Sequence, residues 1–381
     1  TINTQSRFDF ANGGIKSPIN VNINAHRIHS RNKLEKYLRG SHICKSVAYV
    51  IGLEKIGMKA PPNSGMIGLN SNTNSEDCVV LFPTNGVGFG HFTRMYAVAK
   101  SIRQHSPSTE VIFFTPMPTL HIPYIENFPT YHIAGKYKFQ GMSSTQWNGL
   151  IEEQLLMILE THKPKLFMFD GAYPYRGMLN AIQRRPSMKK AWMRRGMFKK
   201  GSKIPVDSIQ FFDTILHPGD SITTQEQNVE HSVEVKHVPP IILVKEEEML
   251  SKKEARSRLG VPQSAEVWYV QLGAGQINDI ESEIRLTIDA LLERNSDLFI
   301  VIGESLLGKR VSFSNERVRI LRDYPNAIYF RGFDYSIQAG GYNSFHEMRS
   351  SQIPTIFYPN MNTGMDDQLA RCKVAEKEGW G

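Results

Sequence analysis

Short apolar runs alternate with helical stretches along residues 77–381, and this alternation decides what the chain can fold into. Runs at 78–82, 110–114, 165–170 and 191–193 read as buried strands. Helices are predicted from near Thr93 and over 149–161. Strands about 30 residues apart with a helix between them are the mark of parallel βαβ units. A second series follows at 267–272, 297–302, 318–321, 327–330 and 355–358. Between the series, 235–243 contains Pro239-Pro240 and reads as a stiff extended link, followed by a charged helix over 245–259 that ends at Gly260. The expectation is an α/β chain with two Rossmann-like halves, 77–235 and 236–381.

At 381 residues the chain is too long for one comfortable core. Residues 1–76 are rich in Asn, Ser, Gly and Pro at both ends and predict one helical segment over 31–56, an extension of unassigned role. Hydrophobic content of 40% and charged content of 22% are those of a soluble globular protein. No apolar run approaches the ~20 residues that span a bilayer, and no signal peptide opens the sequence, which begins with Thr1. Cys44, Cys78 and Cys372 are scattered without metal-ligand spacing, as expected for a reducing cytoplasm.

The net charge of +8 is concentrated between Arg184 and Lys203, where nine cations occur with no acidic residue. Such a run is a solvated face, a contact for an anionic membrane surface, or a contact for a phosphate-bearing acceptor. Nucleic acid is not expected as a partner, because no recognition motif or interleaved aromatic platform accompanies the run.

Two glycine-rich turns carry the chemistry. At 339–347 stands Ala-Gly-Gly-Tyr-Asn-Ser-Phe-His-Glu, between the strand expected at 327–330 and a helix expected from Ser344. Gly340 and Gly341 therefore sit at a strand-to-helix turn. Free backbone N–H groups and the positive end of a helix dipole converge at such a turn and suit a phosphate or diphosphate. Asn343 and Ser344 add side-chain donors, Glu347 one turn on can accept from a ribose hydroxyl, and Asp367 and Gln368 beyond Pro359 can meet sugar hydroxyls. The second turn, Thr-Asn-Gly-Val-Gly-Phe-Gly-His-Phe-Thr-Arg at 84–94, follows the first strand. Gly86, Gly88 and Gly90 allow close backbone approach, and His91 falls at the carboxyl edge where ligands of open α/β sheets gather. The dinucleotide fingerprint fails here: the third glycine comes too early, and no acidic residue closes the second strand.

The 339–368 stretch resembles the donor-binding signature of GT-B glycosyltransferases that use UDP-sugars. Gly341, Asn343, Ser344 and Glu347 match, Tyr342 replaces a Trp, and Pro354 and Pro359 keep their spacing. Asp367-Gln368 arrives a few residues late, and Ala339 stands where the family often has a phosphate-binding His. The 84–94 loop is similar to the G-x-G-H-x-x-R pattern of the family that includes the peptidoglycan GlcNAc transferase. The resemblance implies a GT-B fold and transfer of a hexose or N-acetylhexosamine from a UDP-sugar to a hydroxyl acceptor, small or lipid-linked. It implies a nucleotide-sugar donor on the C-terminal half and the acceptor on the N-terminal half, beside Gly88, Gly90 and Arg94. It places His91 as general base or as a phosphate contact, and Asp170, at a strand end, as its orienting partner or as a turn cap. Gly273 and Gly275 fall where such enzymes bring a loop against the diphosphate. Tyr173, Arg176, Trp192, Arg194 and Arg195 follow N-terminal strands and are candidates for the acceptor side.

Neither metal nor cofactor is expected, since helix dipole and amides meet the diphosphate charge and no D-x-D pair is present. The location implied is cytoplasmic, with the inner membrane face as the site of a lipid-linked acceptor. Because the chain ends at Gly381, just after the helix expected over 367–378, the closing helices of that fold are expected to be missing. Two rivals remain: a nucleotide-sugar 2-epimerase, which would gather several carboxylates around the sugar, and a non-catalytic partner subunit that binds nucleotide-sugar.

Overall fold

The structure, a computed structural model, describes residues 77–84, 88–195, 206–222, 233–273, 280–308, 310 and 312–381. The chain divides into two units, Thr1–Pro62 and Asn63–Gly381, and all described residues belong to the second. The helix expected over 31–56, Gly86, Gly275, Lys199, Lys200 and Lys203 lie outside the described residues.

Seven parallel strands form the first sheet: β1 (Cys78–Pro83), β2 (Glu110–Thr115), β3 (Thr130–His132), β4 (Leu166–Asp170), β5 (Lys189–Met193), β6 (Thr214–Pro218) and β7 (Glu234–Val238). Their order is β3-β2-β1-β4-β5-β6-β7. The second sheet holds β8 (Val267–Gln271), β9 (Phe299–Gly303), β10 (Val318–Leu321), β11 (Tyr335–Gln338) and β12 (Thr355–Phe357), in the order β10-β9-β8-β11-β12 and again parallel. The fold is α/β, as the alternation predicts.

Each sheet reverses its winding once, between β1 and β4 and between β8 and β11. At such a switch point the loops leaving two adjacent strands part in opposite directions and open a crevice at the carboxyl edge. Pro83 pairs with Asp170, and Thr84 N donates to Asp170 O at 2.8 Å, so the first glycine loop starts beside that carboxylate. Gly171 follows, where a Cβ would lie 2.5 Å from the Thr84 side chain, so only glycine allows this approach. Gln271 pairs with Gln338 at the second switch point, which brings Gly273 toward the turn at Gly341.

The central strands β1, β2, β4, β8 and β9 are buried on both faces, as the interior of a parallel sheet requires, while the edge strands β3, β7 and β12 are partly exposed. Phe82, Phe114, Phe167, Phe169 and Trp192 pack on one face of the first sheet under the helix Ser144–His162. That helix starts with a capping box between Ser143 and Gln146. Val79, Leu81, Phe113 and Met168 face the helix Gly90–His105, in an apolar cluster that continues into the second half through Leu243, Tyr269 and Phe330. Tyr324 joins the halves directly: its hydroxyl lies 3.0 Å from Thr93 Oγ1, and its ring packs on Phe89.

Three expectations are corrected. Residues 327–330 lie in a 3₁₀ segment, Asn326–Gly332, and the strand that precedes the glycine turn is β11. A four-residue apolar run fits either form by periodicity; here Ala327, Tyr329 and Phe330 are buried from a tight helix. The supposed link from Val235 is the edge strand β7 through Val238, with the proline pair after it. The charged helix over 245–259 is a 3₁₀ turn, Glu246–Glu248, and a separate helix, Lys252–Leu259, because Ser251 caps a new start with Glu254.

Candidate functional site

The helix Tyr342–Ser351 begins at the carboxyl edge of β11 with Gly341 as N-cap and no side-chain cap. Glycine offers no oxygen to the first-turn amides, so their N–H groups stay available and the positive helix end is open. A cavity of about 280 Å³ opens there, lined by Gly341, Asn343, Ser344 and Glu347 from this helix and by Gly273 from the loop after β8. Gly273 has φ +106°, a conformation that favours glycine. Residues 343 and 347 lie one turn apart and share a face. Asn343 Oδ1 is buried with no partner among the described residues. Glu347 has no cation beside it among the described residues, and burial pushes its pKa up to about 7.

The opposite wall comes from the first half: Gly88, Phe89, Gly90, Thr93 and Arg94. His91 and Asp170 stand directly behind it and do not line the cavity themselves. His91 Nδ1 donates to Asp170 Oδ1 at 2.6 Å. Arg94 grips the same carboxylate with two bonds, Nε to Oδ2 at 2.9 Å and Nη2 to Oδ1 at 2.7 Å. Burial alone would raise the Asp170 pKa, but the charge of Arg94 and the hydrogen bonds from His91 and Arg94 outweigh it and hold the carboxyl below its ordinary range. Burial pushes His91 below its ordinary value; Asp170 pulls it back upward, and Arg94 and Arg195 push it further down. The ring is therefore neutral near pH 7, with the proton on Nδ1 and a free lone pair on Nε2.

Several expected contacts lie elsewhere. Gly340 does not line the cavity; a Cβ there would meet Cys372 Sγ at 2.5 Å, so its glycine serves packing against the helix Gln368–Glu378. Asp367 caps that helix, accepting from Ala370 N at 3.0 Å. Gln368 is buried, and its Oε1 accepts from Asn360 N at 2.9 Å. Neither reaches the cavity; the neighbouring Asp366 does. The helix cap takes Asp367, and Asp366 is left at the cavity.

Sequence reasoning missed a buried ionic network beside the cavity. Arg371 is fully buried and donates to Asp220 (Nη2 to Oδ2, 2.8 Å), to Asp366 (Nη2 to Oδ1, 2.8 Å) and to Gly340 O (Nη1, 2.7 Å). Arg195, after β5, donates to Asp366 Oδ1 at 3.2 Å. Asp220 follows β6, so the network ties the two halves together. Tyr342 lies amid it: its hydroxyl donates to Gly219 O at 2.8 Å, and the guanidinium groups of Arg94, Arg195 and Arg371 stand 5.2–5.9 Å from its ring. Spacing could not reveal pairs this far apart in sequence. Only the Arg at 371, on a helix face otherwise turned to the core, carried a hint.

The described part of the basic run, 184–195, does not make one exposed face. Lys190 and Arg194 are buried, Arg195 turns into the cavity, and Arg184 and Arg185 pair with Glu152 and Glu160 of the helix Ser144–His162. Strand alternation in β5 sends Lys190 inward. Of the acceptor-side candidates, Trp192 is a core residue whose Nε1 donates to Gly171 O, while Tyr173 and Arg176 are exposed. Among the described residues no helix is long and apolar enough to cross a membrane.

No protein-family model and no curated protein matches the sequence. Solved structures match the fold. UDP-GlcNAc 2-epimerase from Neisseria meningitidis, bound to UDP-GlcNAc, aligns at 12% identity and TM-score 0.56, over 79% of this chain and 91% of that one. Spinosyn rhamnosyltransferase SpnG aligns at 13% identity and TM-score 0.53, over 80% and 84%. UDP-GlcNAc 2-epimerase from Methanocaldococcus jannaschii aligns at 11% identity and TM-score 0.50, over 78% and 92%. Two parallel sheets whose switch points face one cavity, in the arrangement of these transferase and epimerase structures, give this chain the GT-B fold.

Proposed function

We propose that the protein is a glycosyltransferase that moves a hexose or N-acetylhexosamine from a UDP-sugar to a hydroxyl acceptor. One observation supports the reading: an uncapped helix N-terminus with Asn343, Ser344 and Glu347 on its cavity side faces the wall of Gly88, Phe89, Gly90, Thr93 and Arg94, behind which His91 pairs with Asp170 at the end of β4. The diphosphate sits at the first-turn amides beside Gly341, with Gly273 close, and Glu347 accepts from a ribose hydroxyl. Asn343 Oδ1, buried and without a partner among the described residues, receives a donor from the ligand. Asp366 lines the cavity where Asp367 and Gln368 do not, and with Arg195 it is the side of the site we assign to the sugar.

In the transfer step, His91 Nε2 removes the acceptor hydroxyl proton as that oxygen bonds to the anomeric carbon. The bond from that carbon to the diphosphate oxygen breaks, and its electron pair leaves with UDP. The new negative charge meets the helix N-terminus. Asp170 supports the imidazolium that forms. The UDP-sugar is substrate here, and no further cofactor takes part.

A 2-epimerase is the second reading, favoured by the carboxylates that share the cavity: Glu304, Asp323, Glu347 and Asp366. Three of the four are engaged, Glu304 by Arg310 and Arg322, Asp323 by the Tyr329 hydroxyl, and Asp366 by Arg195 and Arg371. Incubation with UDP-GlcNAc separates the two. Turnover only when a hydroxyl acceptor is added supports the transferase; formation of the 2-epimer without acceptor replaces it with the epimerase.

A further inference from the structure

We propose that Arg94 is a positioning residue for the His91–Asp170 pair: its guanidinium fork fixes the carboxylate so that His91 is held with its proton on Nδ1 and Nε2 free. As a statement about catalysis this rests on the transferase reading; as a statement about the ring it does not.

The geometry leaves little freedom. Asp170 is almost fully buried at the end of β4, and Arg94 is as deeply buried on the helix Gly90–His105. The two bonds at 2.9 and 2.7 Å make a planar fork that sets the carboxylate plane. A carboxylate held ionised by that fork can only accept. The proton in the 2.6 Å contact to Oδ1 therefore belongs to His91 Nδ1. Arg94 Nη2 also lies 3.0 Å from Nδ1, and since both carry hydrogens this is a close approach of two donors held by one shared acceptor. His91 and Arg94 are one turn apart at the start of their helix, so the same turn that presents the ring presents the clamp.

The clamp also sets a charge balance. Among the described residues the charged groups that face His91 are Asp170 from β4, Arg94 from its own helix and Arg195 after β5. A second proton on the ring would add a cation beside two guanidinium groups and at the positive end of a helix. Asp170 alone would favour that proton; a clamped Asp170, already neutralised by Arg94, favours it much less.

The test reads His91 itself, by titrating the ¹⁵N-histidine-labelled full chain without substrate. In the wild type the ring should titrate below the ordinary histidine value and show the Nδ1–H tautomer. Arg94→Gln should raise its pKa by about one pH unit or more, the effect of removing a neighbouring cation. Arg94→Lys keeps a charge without the fork, so its titration should stay low while the tautomer preference weakens. An Nε2–H tautomer in the wild type, or a ring that titrates above its ordinary value, overturns the proposal even where Arg94→Gln fails to fold. An unchanged titration in a folded Arg94→Gln variant overturns it too. A protein with this titration and no turnover with any acceptor would instead sink the transferase reading and leave the clamp standing.

Discussion

Asp220 and Arg371 meet as a two-bond fork between the halves of the molecule, Nε to Oδ1 at 3.0 Å and Nη2 to Oδ2 at 2.8 Å, with both side chains buried. His346 Nε2 approaches the same Oδ1 at 3.3 Å. Removing one partner leaves the other charge buried, so Asp220→Ala should cost about 3–5 kcal/mol. Chemical denaturation checks this; a loss below about 1 kcal/mol would mean that solvent reaches the pair.

Acid should destabilise the protein steeply below about pH 4. Burial opposes ionisation of Asp170, Asp220 and Asp366, but Arg94, Arg195, Arg371 and His346 outweigh it and depress all three pKa values below the ordinary 3.8. A depressed folded pKa gives stability that is present above the unfolded value and lost as pH falls through the folded one. Melting temperature should therefore hold down to about pH 4 and fall steeply below it. In Asp220→Asn the acid limb should be shallower, and an identical limb would remove Asp220 from the account.

Glu347 works in the opposite sense. Its pKa rises from 4.5 to about 7 through burial, so the folded protein holds a proton that the unfolded chain has released. Stability falls as pH rises through that window. A ribose hydroxyl that donates to the carboxylate favours the charged form, so UDP binding should release a proton and tighten between about pH 6 and about pH 8. Calorimetry in buffers of different ionisation enthalpy reads the proton. The same pH slope in Glu347→Gln would show that another group titrates.

His91→Ala should lower kcat by about 10²–10⁴-fold, the share of a general base, with UDP affinity kept. Asp170→Asn should lose less, and the double variant should lose no more than His91→Ala, because the pair acts as one unit. Additive losses would reduce Asp170 to a turn residue.

The legible parts of this chain are those that local rules determine. Buried runs separated by helices gave the two sheets, and His91 and Asp170 meet because β1, whose loop leads to the helix start that carries His91, pairs with β4, which ends at Asp170. Asn343, Ser344 and Glu347 share a cavity because a helix starts where the glycines predict. What local rules leave open was missed. Residues 327–330 fit a strand or a 3₁₀ turn equally. The choice between Asp366 and Asp367 turned on which of two adjacent carboxylates capped a helix. The Asp220–Arg371 fork, 151 residues apart, has no trace in spacing. The basic run looked like a surface because sequence shows charge and not direction, and β5 points part of it inward.

The central claim is that the helix start at Gly341 holds a nucleotide diphosphate with Glu347 on its ribose, and a calorimetric titration of UDP tests it most directly. Glu347→Ala should weaken UDP binding by about 1–3 kcal/mol, the cost of a lost hydrogen bond to a charged group, with the circular dichroism spectrum unchanged. Asp367→Ala should cost about 1 kcal/mol of stability as a lost helix cap and leave UDP affinity alone. Wild-type affinity for UDP in a folded Glu347→Ala variant would contradict the account.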